Sequence, residues 1–198
     1  MCPFIETIRV EQGVLLHIDY HNQRMNDTRS AFWPNAKPLD LNHFLLPPTA
    51  EGVMKCRVVY SDVIEEVSYT PYSIRPVRSL RIVCSDTINY TYKSTDREAL
   101  NQLYEQRDTK DDVLIIKNGY ITDTSIANVA LFDGTHWFTP KHPLLKGTQR
   151  AQLLQKGIIQ EKEIMLEELF SFSQMTIFNA MIPFQSLVLD VNSAFISY

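Results

Sequence analysis

Residues 113–140 read VLIIKNGYITDTSIANVALFDGTHWFTP, and this stretch decides most of the predicted fold. Two turn dipeptides, Asn118-Gly119 and Asp133-Gly134, separate apolar runs that are rich in β-branched and aromatic residues. Asn-Gly tolerates both positive φ angles of a type I′ turn, and Asp-Gly shares this preference. The stretch therefore predicts two hairpins, which together form a meander of antiparallel strands.

One acid, Asp123, stands within this otherwise apolar region. A buried carboxylate without a partner is costly, so we expect Asp123 in a turn, beside a cation or against a ligand. A turn carboxylate that bonds its own backbone is the most common of these situations. The residue by itself does not choose among them.

The N-terminal part of the chain predicts a small α+β domain. Residues 4–18 indicate a hairpin, and a helix is expected from a cap at Asp19 to about residue 32. Residues 53–70 alternate apolar and polar side chains, as half-buried antiparallel strands do. Residues 71–80 hold two prolines and no helical period, which is typical of a linker.

We therefore expect a domain boundary near residue 80, with a small N-terminal domain at 1–80 and a C-terminal domain at 81–198. In the second domain, Thr95 and Glu98 have the spacing of a capping box at the start of a helix. A further short helix is predicted at QRAQLLQKG, closed by Gly157. Together with the meander, these elements predict a two-domain α+β fold whose larger, C-terminal domain holds an antiparallel sheet or barrel.

The composition argues against several classes of function. A net charge of −4 and a pI near 5.7 leave no basic surface for a nucleic acid. No apolar run approaches the roughly 20 residues that span a bilayer, and the N-terminus lacks the pattern of a signal peptide. The three cysteines form no CxxC pair and the five histidines form no HExxH motif, so no metal site is indicated. We expect a cytoplasmic protein that binds neither membranes nor nucleic acids.

Other unusual positions are ambiguous when they are taken one at a time. Lys93 follows a tyrosine-rich apolar segment and precedes a helix, a place where a side chain can face a cleft, although most such lysines are simply solvated. Arg24, three residues after His21, is by itself more typical of a surface. Residues 146–150 read KGTQR and lead into a helix, whose first amides can hold a phosphate.

The collinear order of these positions resembles the class IV aminotransferase family. Those fold-type IV pyridoxal phosphate enzymes include branched-chain and D-amino acid aminotransferases and 4-amino-4-deoxychorismate lyase. The matching segments are, in chain order, FIETIRVEQG, HNQRM, YKSTDR, ITDTSIANVALFDGTHWFTP, LLKGTQRAQLL and FNAMIPF. The similarity covers most of the chain, and the order of the segments makes it more specific than any single motif.

The resemblance implies a role for each unusual position. Lys93 would bond covalently to pyridoxal phosphate and then carry protons, because an amine can attack an aldehyde. Arg24 would hold the cofactor phosphate. Asp123 would face the pyridine nitrogen and keep it protonated, which makes the ring a better electron sink. The other implied cofactor-binding residues are Asn128, Gly147, Thr148 and Gln149, and the implied substrate residues are Asn179, Ala180 and Met181.

This sequence departs from the family pattern in three places. Asp123 stands where the family usually has Glu, and Gln149 stands where a threonine hydroxyl is common. The chain also begins at the FIETIRV strand, without the roughly 20 residues that members normally place before it, which would add part of the substrate wall. The first two departures affect the contacts to the cofactor, and the third affects substrate specificity.

Three functions are consistent with this pattern. The short chain and the NAMIPF segment favour 4-amino-4-deoxychorismate lyase, which gives 4-aminobenzoate and pyruvate in folate synthesis. An amino acid aminotransferase of the branched-chain or D-amino acid type is the alternative. A non-catalytic relative that binds a cofactor or a partner protein is the third. Because family members pair their active sites across a two-fold axis, the resemblance also implies a homodimer.

Overall fold

A computed structural model describes residues 2–198 of the chain. The chain divides into two compact units. The first unit extends to Ile74 and also includes Tyr92–Asp96, and the second comprises Arg75–Thr91 and Arg97–Tyr198. The domain boundary predicted near residue 80 remains a proposal.

The first unit is a four-stranded antiparallel sheet with one helix. Its elements are β1 (Phe4–Glu11), β2 (Val14–Leu15), α1 (Ile18–Phe32), a 3₁₀ helix (Leu41–His43), β3 (Val53–Tyr60) and β4 (Ile64–Pro71). The strand order is β2-β1-β3-β4. Alternate residues of β1 and β3 are buried together with Met25 of α1, so one face of the sheet forms the core of this unit.

The first hairpin forms as predicted, but the start of α1 differs from the prediction. Gln12 and Gly13 make the turn with positive φ angles of 50° and 80°. The second strand ends at Leu15, because His17 adopts a left-handed conformation and becomes the N-cap of α1. Asp19, predicted to be the cap, lies in the first turn instead, where its charge still complements the helix dipole.

The second unit contains a larger mixed sheet. Its strands are β5 (Leu80–Cys84), β6 (Asp112–Lys117), β7 (Tyr120–Thr124), β8 (Asn128–Phe132), β9 (Trp137–Pro140), β10 (Gln160–Lys162), β11 (Gln174–Phe178), β12 (Val188–Asp190) and β13 (Ile196–Ser197). Its helices are α2 (Glu98–Glu105), α3 (Thr148–Gln155) and a 3₁₀ helix (Leu166–Ser171). The order is β10-β9-β8-β7-β6-β5-β13, with β11 paired to β8 and β12.

The predicted meander is present as β6 to β9, all antiparallel to their neighbours. Asn118 and Gly119 have φ angles of 52° and 81°, which suit the type I′ turn that the sequence predicts. The Asp-Gly connection is longer than a two-residue turn, because β8 and β9 pair Phe132 with Trp137. Within it, Asp133 Oδ1 accepts hydrogen bonds from the backbone nitrogens of Thr135 and His136, both at 2.8 Å. Parallel pairing of β5 with β6, β13 with β5 and β10 with β9 extends the sheet.

The predicted capping box at Thr95 and Glu98 does not form. Helix α2 begins at Glu98 with Arg97 as its N-cap and no side-chain cap. Thr95 donates instead to the carbonyl oxygen of Pro3, through Oγ1 at 3.0 Å and through its backbone nitrogen at 2.9 Å. The long-range contact uses the backbone N–H of Thr95, which in a capping box would have donated to the Glu98 side chain.

Candidate active site

Arg24 is held by a buried carboxylate on the neighbouring strand. It projects from α1 and donates from Nε to Oε1 of Glu6 at 2.9 Å and from Nη2 to Oε2 at 2.5 Å. Glu6 is fully buried, whereas the Arg24 side chain keeps 16% exposure. The pair is therefore a bidentate ion pair with one partner inside the core and the other reaching its edge.

His21 completes this cluster one helical turn before Arg24. Its Nδ1 lies 2.5 Å from Oε2 of Glu6, and both side chains are almost completely buried. Burial raises the pKa of Glu6, but the charge of Arg24 and the hydrogen bonds from His21 and Arg24 outweigh it and lower that pKa to about 2. Burial lowers the pKa of His21, and the hydrogen bond to Glu6 only partly opposes this. Since the Glu6 carboxylate can only accept, a neutral His21 donates through Nδ1.

Lys93 lies in the same unit as this cluster. The segment Tyr92–Asp96 runs beside the start of β1, where the backbone nitrogen of Ile5 donates to the carbonyl oxygen of Lys93 at 2.8 Å. The ring of Tyr92 packs against Phe32 with centroids 4.8 Å apart. The charge of Lys93 contributes to the lowered pKa of His21. Arg24 and Lys93, which are distant in sequence, thus both act electrostatically on one buried histidine.

Asp123 is a buried carboxylate in β7 of the second unit. It has 4% exposure, and its Oδ1 and Oδ2 accept hydrogen bonds from Asn128 Nδ2 at 2.8 Å and from the Leu145 backbone nitrogen at 2.9 Å. Burial raises the pKa of Asp123 to about 6, although these hydrogen bonds oppose the shift. The turn expected for this residue is wrong, because Asp123 lies within β7 and accepts from donors in β8 and a neighbouring loop. The contact with a ligand stays a prediction.

Asn128 and Gly147 approach each other closely beside Asp123. Asn128 Nδ2 also donates to the carbonyl oxygen of Leu145 at 2.8 Å, which ties this loop to β8. A Cβ atom added to Gly147 would lie 2.1 Å from Oδ1 of Asn128, so any other residue would require the Asn128 side chain to move. Gly147 is the N-cap of α3, and no side chain caps the helix. The phosphate contact predicted for the start of α3 stays a prediction.

The remaining predicted residues lie near one turn. Thr148 and Gln149 are buried at the start of α3. The Gln149 amide faces the carbonyl oxygens of Ile182 at 3.0 Å and Asn179 at 3.1 Å, so its nitrogen is placed there as the donor. Asn179 Oδ1 accepts from the backbone nitrogens of Met181 at 2.8 Å and Ile182 at 3.0 Å, which closes the turn containing Ala180. The Gln149 and Asn179 side chains therefore hold protein structure, and the roles predicted for them remain proposals.

Two features of this region were missed in the sequence. Glu6 falls on the apolar face of β1, at the period-2 positions of Phe4 and Ile8. A carboxylate at such a position signals a buried partner, and His21 and Arg24 supply it. The second feature is the loop at Leu145, which contacts Asp123 only through its backbone and so leaves no side-chain signal.

Comparisons with known proteins agree with this fold. Residues 62–188 match the family profile described as amino-transferase class IV. The chain is 36% identical over 185 residues to an uncharacterized protein of Haemophilus influenzae, covering 91% of this chain and 98% of that one. Therefore, the chain belongs to the class IV aminotransferase family, and it is an enzyme with the α+β fold that the sequence predicted.

Solved structures add more detail. The chain is similar to the crystal structure of a candidate 4-amino-4-deoxychorismate lyase from Haemophilus somnus 129pt, with a TM-score of 0.85 and 36% identity over 92% of this chain and 97% of that one. It also shares its fold with a hypothetical aminotransferase of Mycobacterium tuberculosis in its PLP-bound form, with a TM-score of 0.73 and 16% identity over 96% of this chain and 82% of that one.

No helix in residues 2–198 is both long and apolar enough to cross a bilayer. Within the same range, no group of three or more His, Cys, Asp or Glu side chains is arranged to hold a metal ion.

Proposed function

We propose that the protein is a pyridoxal phosphate-dependent lyase that converts 4-amino-4-deoxychorismate into 4-aminobenzoate and pyruvate. The observation that carries this proposal is the 36% identity, over almost the full length of both chains, to the candidate lyase from Haemophilus somnus. We further propose that the enzyme is a cytoplasmic homodimer that acts in folate synthesis. An aminotransferase reaction is the alternative that the same family supports.

The residue types found in the two units fit the proposed cofactor. Arg24 offers a guanidinium fixed by Glu6, and the start of α3 at Gly147 offers backbone amides, so both suit a phosphate. Asp123 is a buried acceptor with a pKa raised to about 6, and a protonated pyridine nitrogen would favour its charged form. Lys93 supplies the amine that an aldehyde requires. When bound, pyridoxal phosphate supplies an electron sink for the carbon that bears the substrate amine.

In the proposed reaction the protein positions groups and moves protons. Lys93 removes the proton from the carbon that bears the amino group, and a proton is returned to the enolpyruvyl carbon as the ether bond breaks. The substrate separates into 4-aminobenzoate and pyruvate without any further reactant, so no oxidant or acceptor has to bind. Asp123 would supply a negative charge to the ring nitrogen, and Arg24 would hold the cofactor phosphate, so that the cofactor stays in position during the reaction.

The cofactor part of the proposal can be tested with borohydride. We expect the purified protein to develop a visible absorption band with pyridoxal phosphate, and reduction should fix the label on the peptide that contains Lys93. Lys93→Ala should lose both signals, whereas Lys37→Ala, which changes an exposed lysine of the same unit, should keep them. A label on another residue would remove the basis for the assigned roles.

The reaction itself is tested by its products. Incubation of the loaded enzyme with 4-amino-4-deoxychorismate should release pyruvate and 4-aminobenzoate in equal amounts, and Lys93→Ala should release neither. If no pyruvate forms and a keto acid instead accepts an amino group from a branched-chain or D-amino acid, the enzyme is an aminotransferase. If neither reaction occurs in a protein that binds the cofactor, a non-catalytic role is supported.

A further inference from the structure

The Glu6 carboxylate occupies a core position at which an apolar residue would cost less desolvation free energy. It lies on the core face of β1 and is completely buried, between Phe4 and Ile8 in the alternating pattern. Burying an ion pair costs desolvation free energy, and an apolar pair of the same size is often at least as stable. A fully buried carboxylate that bonds only polar groups of α1 therefore suggests a role other than stability.

The geometry of the cluster fixes the plane of the Arg24 guanidinium. Glu6 engages the Nε and Nη2 edge through both of its oxygens, at 2.9 Å and 2.5 Å. His21 in turn holds Oε2 of Glu6 at 2.5 Å, so the carboxylate itself cannot rotate. The bidentate bond directs the Nη1 group away from Glu6, and the Arg24 side chain is 16% exposed. An arginine that is oriented before a ligand arrives loses less conformational freedom when the ligand binds.

We propose that Glu6, itself fixed by His21, is a positioning residue that orients Arg24 for the phosphate group of the cofactor. This inference rests on the proposed function, in which Arg24 contacts that phosphate. Glu6 is not itself a phosphate contact, because a buried anion repels one. The two effects of Glu6 on phosphate affinity therefore have opposite signs, since its charge weakens binding while its hold on Arg24 strengthens binding.

This opposition makes the proposal easy to test. Pyridoxal phosphate and pyridoxal differ only in the phosphate, so the ratio of their dissociation constants reports the contribution of the phosphate alone. We expect Glu6→Gln to reduce the preference for the phosphorylated ligand about tenfold, the scale on which outer-shell partners alter the affinity of the ligands they orient. Pyridoxal affinity should change little. A preference that rises instead would show that the Glu6 charge dominates, and would overturn the proposal.

A second variant separates the effect of orienting Arg24 from the effect of the Glu6 charge. It also keeps the proposal testable if Glu6→Gln does not fold. Glu6→Asp keeps the charge but withdraws the carboxylate by one methylene, so its two bonds to Arg24 can no longer both form. We expect the preference for the phosphorylated ligand to fall in this variant as well. An unchanged preference in folded Glu6→Asp protein would also overturn the proposal.

Arg29 provides a matched control. It is a buried arginine on the same helix, but its guanidinium donates to the carbonyl oxygens of Lys37 at 2.8 Å and Asp62 at 2.6 Å and to Asn26 Oδ1 at 3.1 Å. Arg29→Lys should lower the stability of the protein and leave the ligand preference unchanged. If Arg29→Lys lowers the preference for the phosphorylated ligand as much as Glu6→Gln does, the loss of any buried polar contact of α1 has this effect. In that case the positioning role of Glu6 is wrong.

Arg24→Lys distinguishes this inference from the proposed function. If Arg24→Lys leaves the ligand preference at the wild-type value, the phosphate role of Arg24 is wrong and the proposed site fails. If Arg24→Lys lowers the preference while both Glu6 variants leave it intact, only the positioning inference fails. In an Arg24→Lys background Glu6→Gln should no longer lower the preference, because the group that Glu6 orients is gone and the substitution removes only its repulsive charge.

Discussion

The side-chain nitrogen of Asn128 lies 2.8 Å from Oδ1 of Asp123, and the same nitrogen lies 2.8 Å from the carbonyl oxygen of Leu145. One amide therefore joins the buried carboxylate of β7 to the loop that leads into α3. Leu145 returns a bond from its backbone nitrogen to the other oxygen of Asp123 at 2.9 Å. The three residues form a closed ring of hydrogen bonds, and each bond depends on the other two for its geometry.

Removal of the Asn128 amide should destabilise the protein. Asn128→Ala leaves one oxygen of Asp123 and the Leu145 carbonyl without this donor, and unsatisfied buried groups cost about 1–3 kcal/mol each. We expect the free energy of unfolding, measured by chemical denaturation, to fall by at least about 2 kcal/mol. Asn101→Ala, on the exposed side of α2, should change it by less than about 0.5 kcal/mol. Equal effects would mean that the ring of hydrogen bonds contributes nothing.

Asp123 should make stability depend on pH in an unusual direction. Its pKa is raised from 3.8 to about 6, so the folded protein holds a proton that the unfolded chain has lost between these values. The contribution of Asp123 is therefore fully present below about pH 4 and is lost as the pH rises through about 6, by roughly 2–3 kcal/mol. Glu6 acts oppositely, because its pKa is lowered from 4.5 to about 2 and its contribution disappears as the pH falls through that range.

The difference between wild type and Asp123→Asn isolates the first of these effects. We expect the unfolding free energy of wild type, relative to that of Asp123→Asn, to fall steadily as the pH rises from about 4 to about 6.5. The titrations of Glu6 and His21 occur in both proteins and cancel. A difference that is independent of pH would show that Asp123 titrates at its ordinary value.

Gly147 should be intolerant of a side chain for steric reasons alone. Its φ of −68° and ψ of 148° are ordinary for any residue, so Gly147→Ala adds no backbone strain. The added Cβ would lie 2.1 Å from Asn128 Oδ1, and we expect a loss of about 1–3 kcal/mol in the free energy of unfolding. In an Asn128→Ala background the same change should cost less than about 0.5 kcal/mol, because the clashing atom is absent. If the losses in unfolding free energy caused by Gly147→Ala and Asn128→Ala simply add, the expected clash between the new Cβ and Asn128 Oδ1 is wrong.

Gln149 should tolerate alanine better than glutamate. The amide nitrogen faces two carbonyl oxygens, those of Ile182 and Asn179, at 3.0 Å and 3.1 Å. Gln149→Ala loses these bonds, at a cost of about 1–2 kcal/mol, whereas Gln149→Glu places a buried negative charge against them and should cost more. Gln160→Glu, at an exposed position of β10, should be close to neutral when unfolding is measured at pH 7. If glutamate is as stable as glutamine at position 149, the donor assignment is wrong.

Local signals in the sequence predicted the parts of the fold that local chemistry determines. The Asn118-Gly119 hairpin and the helix closed by Gly157 both formed as expected, because each depends on φ angles that few residues adopt. The prediction failed where a distant partner competed for the same group. Thr95 bonds Pro3 rather than capping α2, and no turn or hydropathy signal connects these two positions.

The sequence pointed to individual residues of the candidate site but not to the ion pairs and hydrogen bonds that they form. Family-like motifs pointed to Arg24, Lys93 and Asp123, yet none of them indicated that Glu6 would bind Arg24 from the core of the sheet. Ion pairs between elements depend on packing, which one sequence does not reveal. The role of Leu145 was inaccessible for a simpler reason, since a backbone nitrogen is the same in every residue but proline.

The contact between Gly147 and Asn128 also has a consequence for how this site can evolve. While asparagine is present at position 128, we expect selection to favour glycine at position 147, because a Cβ there would lie 2.1 Å from Oδ1 and would force the Asn128 side chain to move. A smaller residue at position 128 would lift that restriction but would release Asp123 and Leu145 together. Relatives that keep asparagine at position 128 should therefore keep glycine at position 147. Relatives with a smaller residue at position 128 should show other residues at position 147.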